Sequence, residues 1–428
     1  MSDRTNPGWL PLDNAAKIYP AARRKNWSNV YRLSATLTEP VDPKLLQSAL
    51  DVTVKRFPSI AVRLRRGVFW YYLQQLPHPP SLCPEYSYPL TWMDKEELRR
   101  CAFRVIAQDN RIAVELFHSL TDGNGGLIFL KTLVAEYLEQ KYGICVPAEA
   151  GVLDRREKPK QEELEDSFPK YAGTVQASRQ ERTAWHLSGI PEPDGFLHVT
   201  CFRLPVSAVR EKAKQYDASV TAFLTAAMMQ ALQQWQAALY PQNRRKPVKV
   251  LIPVNLRKLF PSQTLRNFAM YTTPEILPRL GQYSFQEICR VVKVKMAEDI
   301  TPKKMSMKIA TNVASEKLMA VRVLPLFIKN AVMKAVFDAT GETKSCLTLS
   351  NLGQVALPEA MMPYVQRVDF ILGVQAASPY NCGAVSFKDH LYLNFIRNTQ
   401  KPELERHFYQ VLKDLGLPVQ VQSNRPAI

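Results

Sequence analysis

The chain has 428 residues, of which 46% are hydrophobic and 22% charged, and it carries a formal net charge of +17. Its length exceeds the roughly 250–300 residues at which one core stops growing, so two domains are expected, and the composition excludes a disordered polymer. No leader pattern opens the chain, and the longest apolar run, around Val220 to Leu232, is shorter than the roughly 18–20 residues that cross a bilayer; no signal peptide or membrane span is expected, and the expected location is the cytoplasm.

In chain order, Asn29 to Thr38 alternates apolar and polar positions as a half-buried strand does. Asp42-Pro43 opens a helix with Leu45, Leu46, Ala49, Leu50 and Val54 on one face, and Pro58 stops it. Val68 to Gln74 is strand-like and aromatic. Cys101 to Ile106 and Arg111 to Phe117 read as strands joined by the turn Gln108-Asp109-Asn110, and a long helix then runs to Gly143. The charge-dense stretch from Asp154 to Asp194 lacks apolar periodicity and ends in turn formers. The chain is therefore divided into residues 1–165, a linker 166–195, and residues 196–428.

Beyond the linker, Leu197 to Leu204 is a strand, followed by helices at Val206 to Tyr216 and Val220 to Gln234 and a strand at Val248 to Val254. Further strands are Ser345 to Leu349, Val368 to Val374, Gly383 to Phe387 and His390 to Ile396, the last two forming a hairpin across Lys388-Asp389. Pro402 to Leu415 closes the chain as an amphipathic helix. Each half mixes sheet and helix, which predicts an α/β protein of two lobes.

The seven cysteines are scattered, odd in number and without CxxC spacing, and no histidine cluster accompanies them. Reduced thiols are expected, with no disulfide framework and no metal site. The positive charge lies in short clusters: Arg23-Arg24-Lys25, Arg63 with Arg65-Arg66, Arg99-Arg100, Arg244-Arg245-Lys246 and Lys303-Lys304. Without a zinc-finger or RNP signature these do not indicate nucleic acid. They read as solvated surface, with a phosphorylated donor or an acidic partner protein as the other readings.

The strand at Arg111 to Phe117 leads directly into His118-Ser119-Leu120-Thr121-Asp122-Gly123-Asn124-Gly125-Gly126 and then into the long helix. A buried strand thus ends in a polar turn that presents an imidazole, and the glycines permit close approach of another segment. Neutral imidazole, with an ordinary pKa near ~6.5, is suited to removing a proton at neutral pH. No GxSxG elbow and no GxxxxGK[ST] loop occurs, which removes the commonest hydrolase and nucleoside-triphosphatase readings.

HxxxDG at a strand-to-helix junction resembles the active-site signature of the coenzyme A-dependent acyltransferase superfamily. That superfamily includes chloramphenicol acetyltransferases, plant-type alcohol acyltransferases and the condensation domains of peptide synthetases. Two more segments are similar to it: Ile252-Pro253-Val254-Asn255-Leu256-Arg257 with Arg266-Asn267-Phe268, and Leu349-Ser350-Asn351-Leu352-Gly353. The latter resembles a segment of the alcohol acetyltransferase branch. Phe117 stands where other branches carry a second histidine, and Asp369-Phe370-Ile371-Leu372-Gly373 is only a distant counterpart of the plant-type DFGWG.

The resemblance implies two chloramphenicol acetyltransferase-like lobes, each a mixed sheet packed with helices, with an active-site tunnel between them. It implies acyl-CoA, as acetyl-CoA or a longer thioester, as the donor, a small-molecule alcohol as the acceptor, and no metal. His118 is then the general base, Asp122 a structural residue with Arg257 as candidate partner, and Gly123 the point where the thioester passes the backbone. Ser350 and Asn351 are candidate oxyanion donors, with Asn255 and Asn267 behind them; Arg244, Arg245, Lys246 and Lys249 are candidates for binding the donor's phosphates. Two other readings stay open: a donor carried by an acyl carrier protein, and a non-catalytic binding protein on the same fold. A monomer is expected.

Overall fold

The protein is described here from a computed structural model, which covers residues 8–21, 23, 29–178, 181–317, 324–336, 342–375 and 378–424. Two large sheets organise it, each packed with helices. The first is antiparallel, in the order β12 (Val365–Ile371), β2 (Val30–Leu37), β6 (Arg111–Phe117), β5 (Phe103–Gln108). Helices α2 (Pro43–Arg56) and α4 (Gly123–Tyr142) belong to its core, where Leu46, Leu50, Phe129 and Leu133 are fully buried. Asp42 caps α2 by accepting from Lys44 N and Leu45 N, and Pro43 starts it with its φ already set. Gly143, at φ +66°, closes α4 in the left-handed conformation that a β-carbon disfavours.

The second sheet has the order β10 (Glu275–Ile276), β8 (Val248–Asn255), β11 (Leu347–Gln354), β13 (Tyr380–Phe387), β14 (His390–Arg397), β7 (His198–Pro205), β15 (Gln420–Ser423), with β9 (Ala269–Thr272) beside β8. Its β11 runs parallel to both β8 and β13, and its other pairs are antiparallel. On it pack α7 (Val220–Leu239), apolar almost all round and buried accordingly, and α11 (Glu403–Asp414), whose Phe408 meets Phe202 and Phe395 with ring centroids 5.4 and 5.0 Å apart. A small sheet of β1 (Trp9–Pro11), β4 (Tyr71–Gln75) and β3 (Val62–Arg66) flanks the first lobe. The remaining helices are α1 (Ile18–Ala21), α3 (Lys95–Arg100), α5 (Gln161–Leu164), α6 (Val206–Gln215), α8 (Phe285–Asp299), α9 (Pro302–Lys317) and α10 (Leu326–Val336).

One strand crosses between the halves of the sequence. The segment expected at Val368 to Val374 in the second lobe forms β12, which pairs with β2 at the edge of the first sheet. Gly383 of β13 permits the approach, since a β-carbon there would lie 2.3 Å from Phe370 O. Of the expected strand at Val68 to Gln74 only the part from Tyr71 is strand, as β4; residues 68–70 form the turn from β3, where Gly67 N donates to Trp70 O at 2.9 Å and the chain reverses. The expected strand at Ser345 to Leu349 continues through Asn351 to Gln354, and α8, α9 and α10 were not read from the sequence. Arg24 and Lys25 of the first basic cluster lie outside the described residues. No helix among the described residues is long and apolar enough to cross a membrane.

Candidate active site

His118 follows β6 directly, and its backbone N–H donates to Asn29 O at 2.8 Å. Its ring stacks on Tyr19 (centroids 4.5 Å apart, planes at 18°) and meets Tyr31 edge-on at 5.1 Å. Nδ1 lies 3.2 Å from Asn267 Oδ1. The Asn267 amide is oriented from its far side, where Nδ2 donates to Asp13 Oδ2 at 3.2 Å. Oδ1 therefore faces the imidazole, and a neutral ring carries its proton on Nδ1 and keeps Nε2 as the free acceptor. Burial pushes the His118 pKa down from 6.5, opposed by its own carbonyl, Asp122 and Asn267, so the neutral form prevails at pH 7.

Asp13 is wholly buried. Burial raises its pKa to about 6, against the pull of Arg266, whose Nε is 3.7 Å from Oδ2. Its Oδ1 accepts from Ala16 N at 2.7 Å, so the same carboxylate folds the segment that carries Tyr19 and anchors the amide that faces His118. Tyr31 donates through its hydroxyl to Asp122 O at 2.8 Å, which fixes the second ring of the cage.

The carboxylate of Asp122 is committed to holding the loop. Oδ1 accepts from Asn124 N and Gly125 N, each at 3.1 Å, and so caps α4. Oδ2 accepts from Arg257 Nη1 at 2.7 Å and from Phe268 N at 2.9 Å. Arg257 reaches further, donating through Nε to Thr264 O at 2.9 Å and through Nη2 to Arg266 O at 2.5 Å. Thr121 Oγ1 donates to Leu265 O at 2.5 Å. The loop at residues 264–268 is thereby tied to the histidine turn, and Asn267 is carried to the imidazole by it.

The other expected site residues divide. Asn255 accepts from Arg257 N at 3.1 Å and from Arg257 Nη1 at 3.3 Å, so it shapes the Arg257 turn. Asn351 is engaged at both ends: Oδ1 accepts from Gly353 N at 2.8 Å, and Nδ2 donates to Thr221 Oγ1 at 3.0 Å. Ser350 is half-buried in β11, opposite Gly383. Gly123 lies close to Leu352, since a β-carbon there would lie 2.9 Å from Leu352 Cδ2. That contact brings the Ser350–Gly353 segment against the histidine turn. Lys249 is buried and paired with Glu181 at 3.0 Å, so it cannot serve donor phosphates, while Arg244 and Lys246 are exposed and Arg245 is half-buried. The thiols of Cys201, Cys289 and Cys346 are pushed by burial up to about 12, which removes them as nucleophiles near neutrality.

Asp13, Tyr19 and Tyr31 were missed from the sequence. Asp13 and Asn267 are separated by 254 positions, and no local pattern links them. No group of three or more potential metal ligands occurs among the described residues.

The alcohol acetyltransferase family model matches residues 194–364. The sequence has no match among curated proteins. Among solved structures, TRI101 of F. sporotrichioides, complexed with coenzyme A and T-2, is 13% identical, with a TM-score of 0.62 over 97% of this chain and 100% of that one. The first condensation domain of the calcium-dependent antibiotic synthetase, in complex with a substrate analogue, is 12% identical, with a TM-score of 0.64 over 95% of each chain. TRI3 trichothecene 15-O-acetyltransferase from Fusarium sporotrichioides is 10% identical, with a TM-score of 0.60 over 95% and 94%. By fold the chain is therefore similar to the two-lobed structures of these acetyltransferases and of a condensation domain, and its residues 194–364 match the alcohol acetyltransferase family model.

Proposed function

We propose that this protein transfers an acyl group, acetyl in the first instance, from a coenzyme A thioester to the hydroxyl of a small-molecule acceptor, with His118 as general base. The observation that carries the reading is the held imidazole, caged by Tyr19 and Tyr31 and tied at Nδ1 to Asn267, which makes Nε2 the unprotonated nitrogen of the neutral ring. Nε2 takes the hydroxyl proton as the acceptor oxygen attacks the thioester carbonyl carbon. The C–S bond then breaks from the tetrahedral oxyanion, and the imidazolium returns its proton to the departing thiolate. Ser350 Oγ is the proposed oxyanion donor, because the Asn351 amide is engaged elsewhere. Asp122, Gly123 and Arg257 position the turn and do not touch the reacting atoms.

These steps use no metal. The reading carries with it a cytoplasmic monomer whose lobes are joined through residues 166–195. A donor on an acyl carrier protein is the second reading, favoured by the net charge of +17, which would suit an acidic carrier. The test is to incubate the protein with acetyl-CoA and longer acyl-CoAs and a panel of alcohols and amines, and to follow free thiol. Acceptor-dependent thiol release is expected. Transfer only from a loaded carrier protein would favour the second reading, and binding of acceptors without transfer from either donor would favour a non-catalytic binding protein.

A further inference from the structure

A groove of about 260 Å³ opens on the first lobe. Pro20 and Ala21 form part of its wall, and they directly follow Tyr19, whose ring stacks on His118 at 4.5 Å. The remaining wall comes from the end of β3, the start of β4, α3 and α10. Among the described residues four cations line it, Arg23, Arg66, Lys95 and Arg99, and no carboxylate does. The nearby acids are already engaged: Asp94 caps α3 at Glu97 N (2.7 Å), and Glu97 binds Arg104 at 2.6 and 2.7 Å.

Two atoms of this wall point to a missing ligand. Arg23 Nε and Asn330 Oδ1 are buried and have no hydrogen-bond partner among the described residues. The rest of Arg23 is held, with Nη2 donating to Met93 O and the guanidinium 4.6 Å over the Trp92 ring. Asn330 is held through Nδ2, which donates to Tyr71 Oη at 3.1 Å. Orphaned polar atoms of this kind are costly and uncommon, and here one donor and one acceptor belong to two residues that line a groove carrying four cations, against which Asp94 and Glu97 supply only part of the opposing charge. A group with anionic oxygens and a hydroxyl answers both, and phosphate is such a group.

We propose that this groove is a subsite for a phosphate-bearing ligand, placed so that the phosphorylated end of one substrate is held there while the remainder reaches His118. The groove's affinity for phosphate stands whether or not the protein transfers acyl groups; only its assignment to a substrate rests on the proposed function. Two sources share this chemistry, the phosphates of the thioester donor and a phosphorylated acceptor alcohol.

The test is calorimetry on the full chain with inorganic pyrophosphate, coenzyme A and pantetheine, comparing wild type with the Arg66→Gln/Arg99→Gln double variant. Both arginines are exposed, and an unchanged thermal midpoint confirms that the variant folds. Pyrophosphate is expected to bind the wild type, more weakly as salt rises, and at least about tenfold more weakly to the double variant. If coenzyme A weakens in step while pantetheine does not, the groove serves the donor. If coenzyme A is unaffected while pyrophosphate is lost, the groove serves a phosphorylated acceptor. Equal pyrophosphate affinity in the two proteins, or none in the wild type, overturns the proposal.

Discussion

Asp122→Asn keeps the shape of the side chain and removes its charge. All four groups facing the carboxylate are donors: Asn124 N and Gly125 N at one oxygen, Arg257 Nη1 and Phe268 N at the other. An asparagine offers one oxygen and one NH2, so in either amide orientation two N–H groups face a donor. Arg257, with a side chain only 11% exposed, also loses its counter-charge. Removing one partner of a buried pair costs about 3–5 kcal/mol, a large share of the about 5–15 kcal/mol that holds a typical domain folded. Arg257→Gln should cost less, about 1–3 kcal/mol, because Asp122 keeps its three backbone donors. Urea unfolding followed by circular dichroism measures both, through the shift of midpoint at constant slope. An Asp122→Asn protein as stable as wild type would refute the view that this carboxylate joins the histidine turn to the 264–268 loop.

Asn267→Ala should lower kcat about tenfold to a hundredfold with little change in KM, because it frees the imidazole without removing it; a KM effect alone would point to substrate contact instead. The pH profile of kcat/KM should have its acid limb below 6.5, since burial depresses the His118 pKa and the neutral ring is the active form, so activity is lost as pH falls through that value. Asp13 has its folded pKa raised from 3.8 to about 6, so between those values the folded state holds a proton that the unfolded chain releases. Its contribution to stability therefore grows as pH falls through about 6, and the stability difference between wild type and Asp13→Asn should change in that window and level off outside it. Gly125→Ala should cost about 3 kcal/mol or more in urea unfolding, because its β-carbon would lie 2.2 Å from Leu265 O, a backbone atom with little room to move.

The architecture is legible wherever period and punctuation agree. Alternation marks β2, β7 and β14, and Asp42-Pro43 and Gly143 mark the ends of helices, because each of these signals is local chemistry. The crossover of β12 is not legible, since nothing in Val365–Ile371 records that its partner is β2, hundreds of positions earlier. Helices α8 and α9 follow turn-rich sequence and carry a thin apolar stripe, and they escape for that reason. At the site, His118, Asp122 and Gly123 stand in one window with a recognisable spacing. The Asp13–Asn267 link and the tyrosine cage are products of tertiary folding, and an aspartate near an N-terminus looks like any surface turn until its burial is seen.

The most direct test of the account is single-turnover acyl transfer by His118→Ala beside wild type, with an acyl-CoA and an accepted alcohol, following thiol release. Loss of the base should slow the chemical step about a hundredfold to ten-thousandfold while coenzyme A still binds. Release at the wild-type rate in His118→Ala would contradict the assignment of the base.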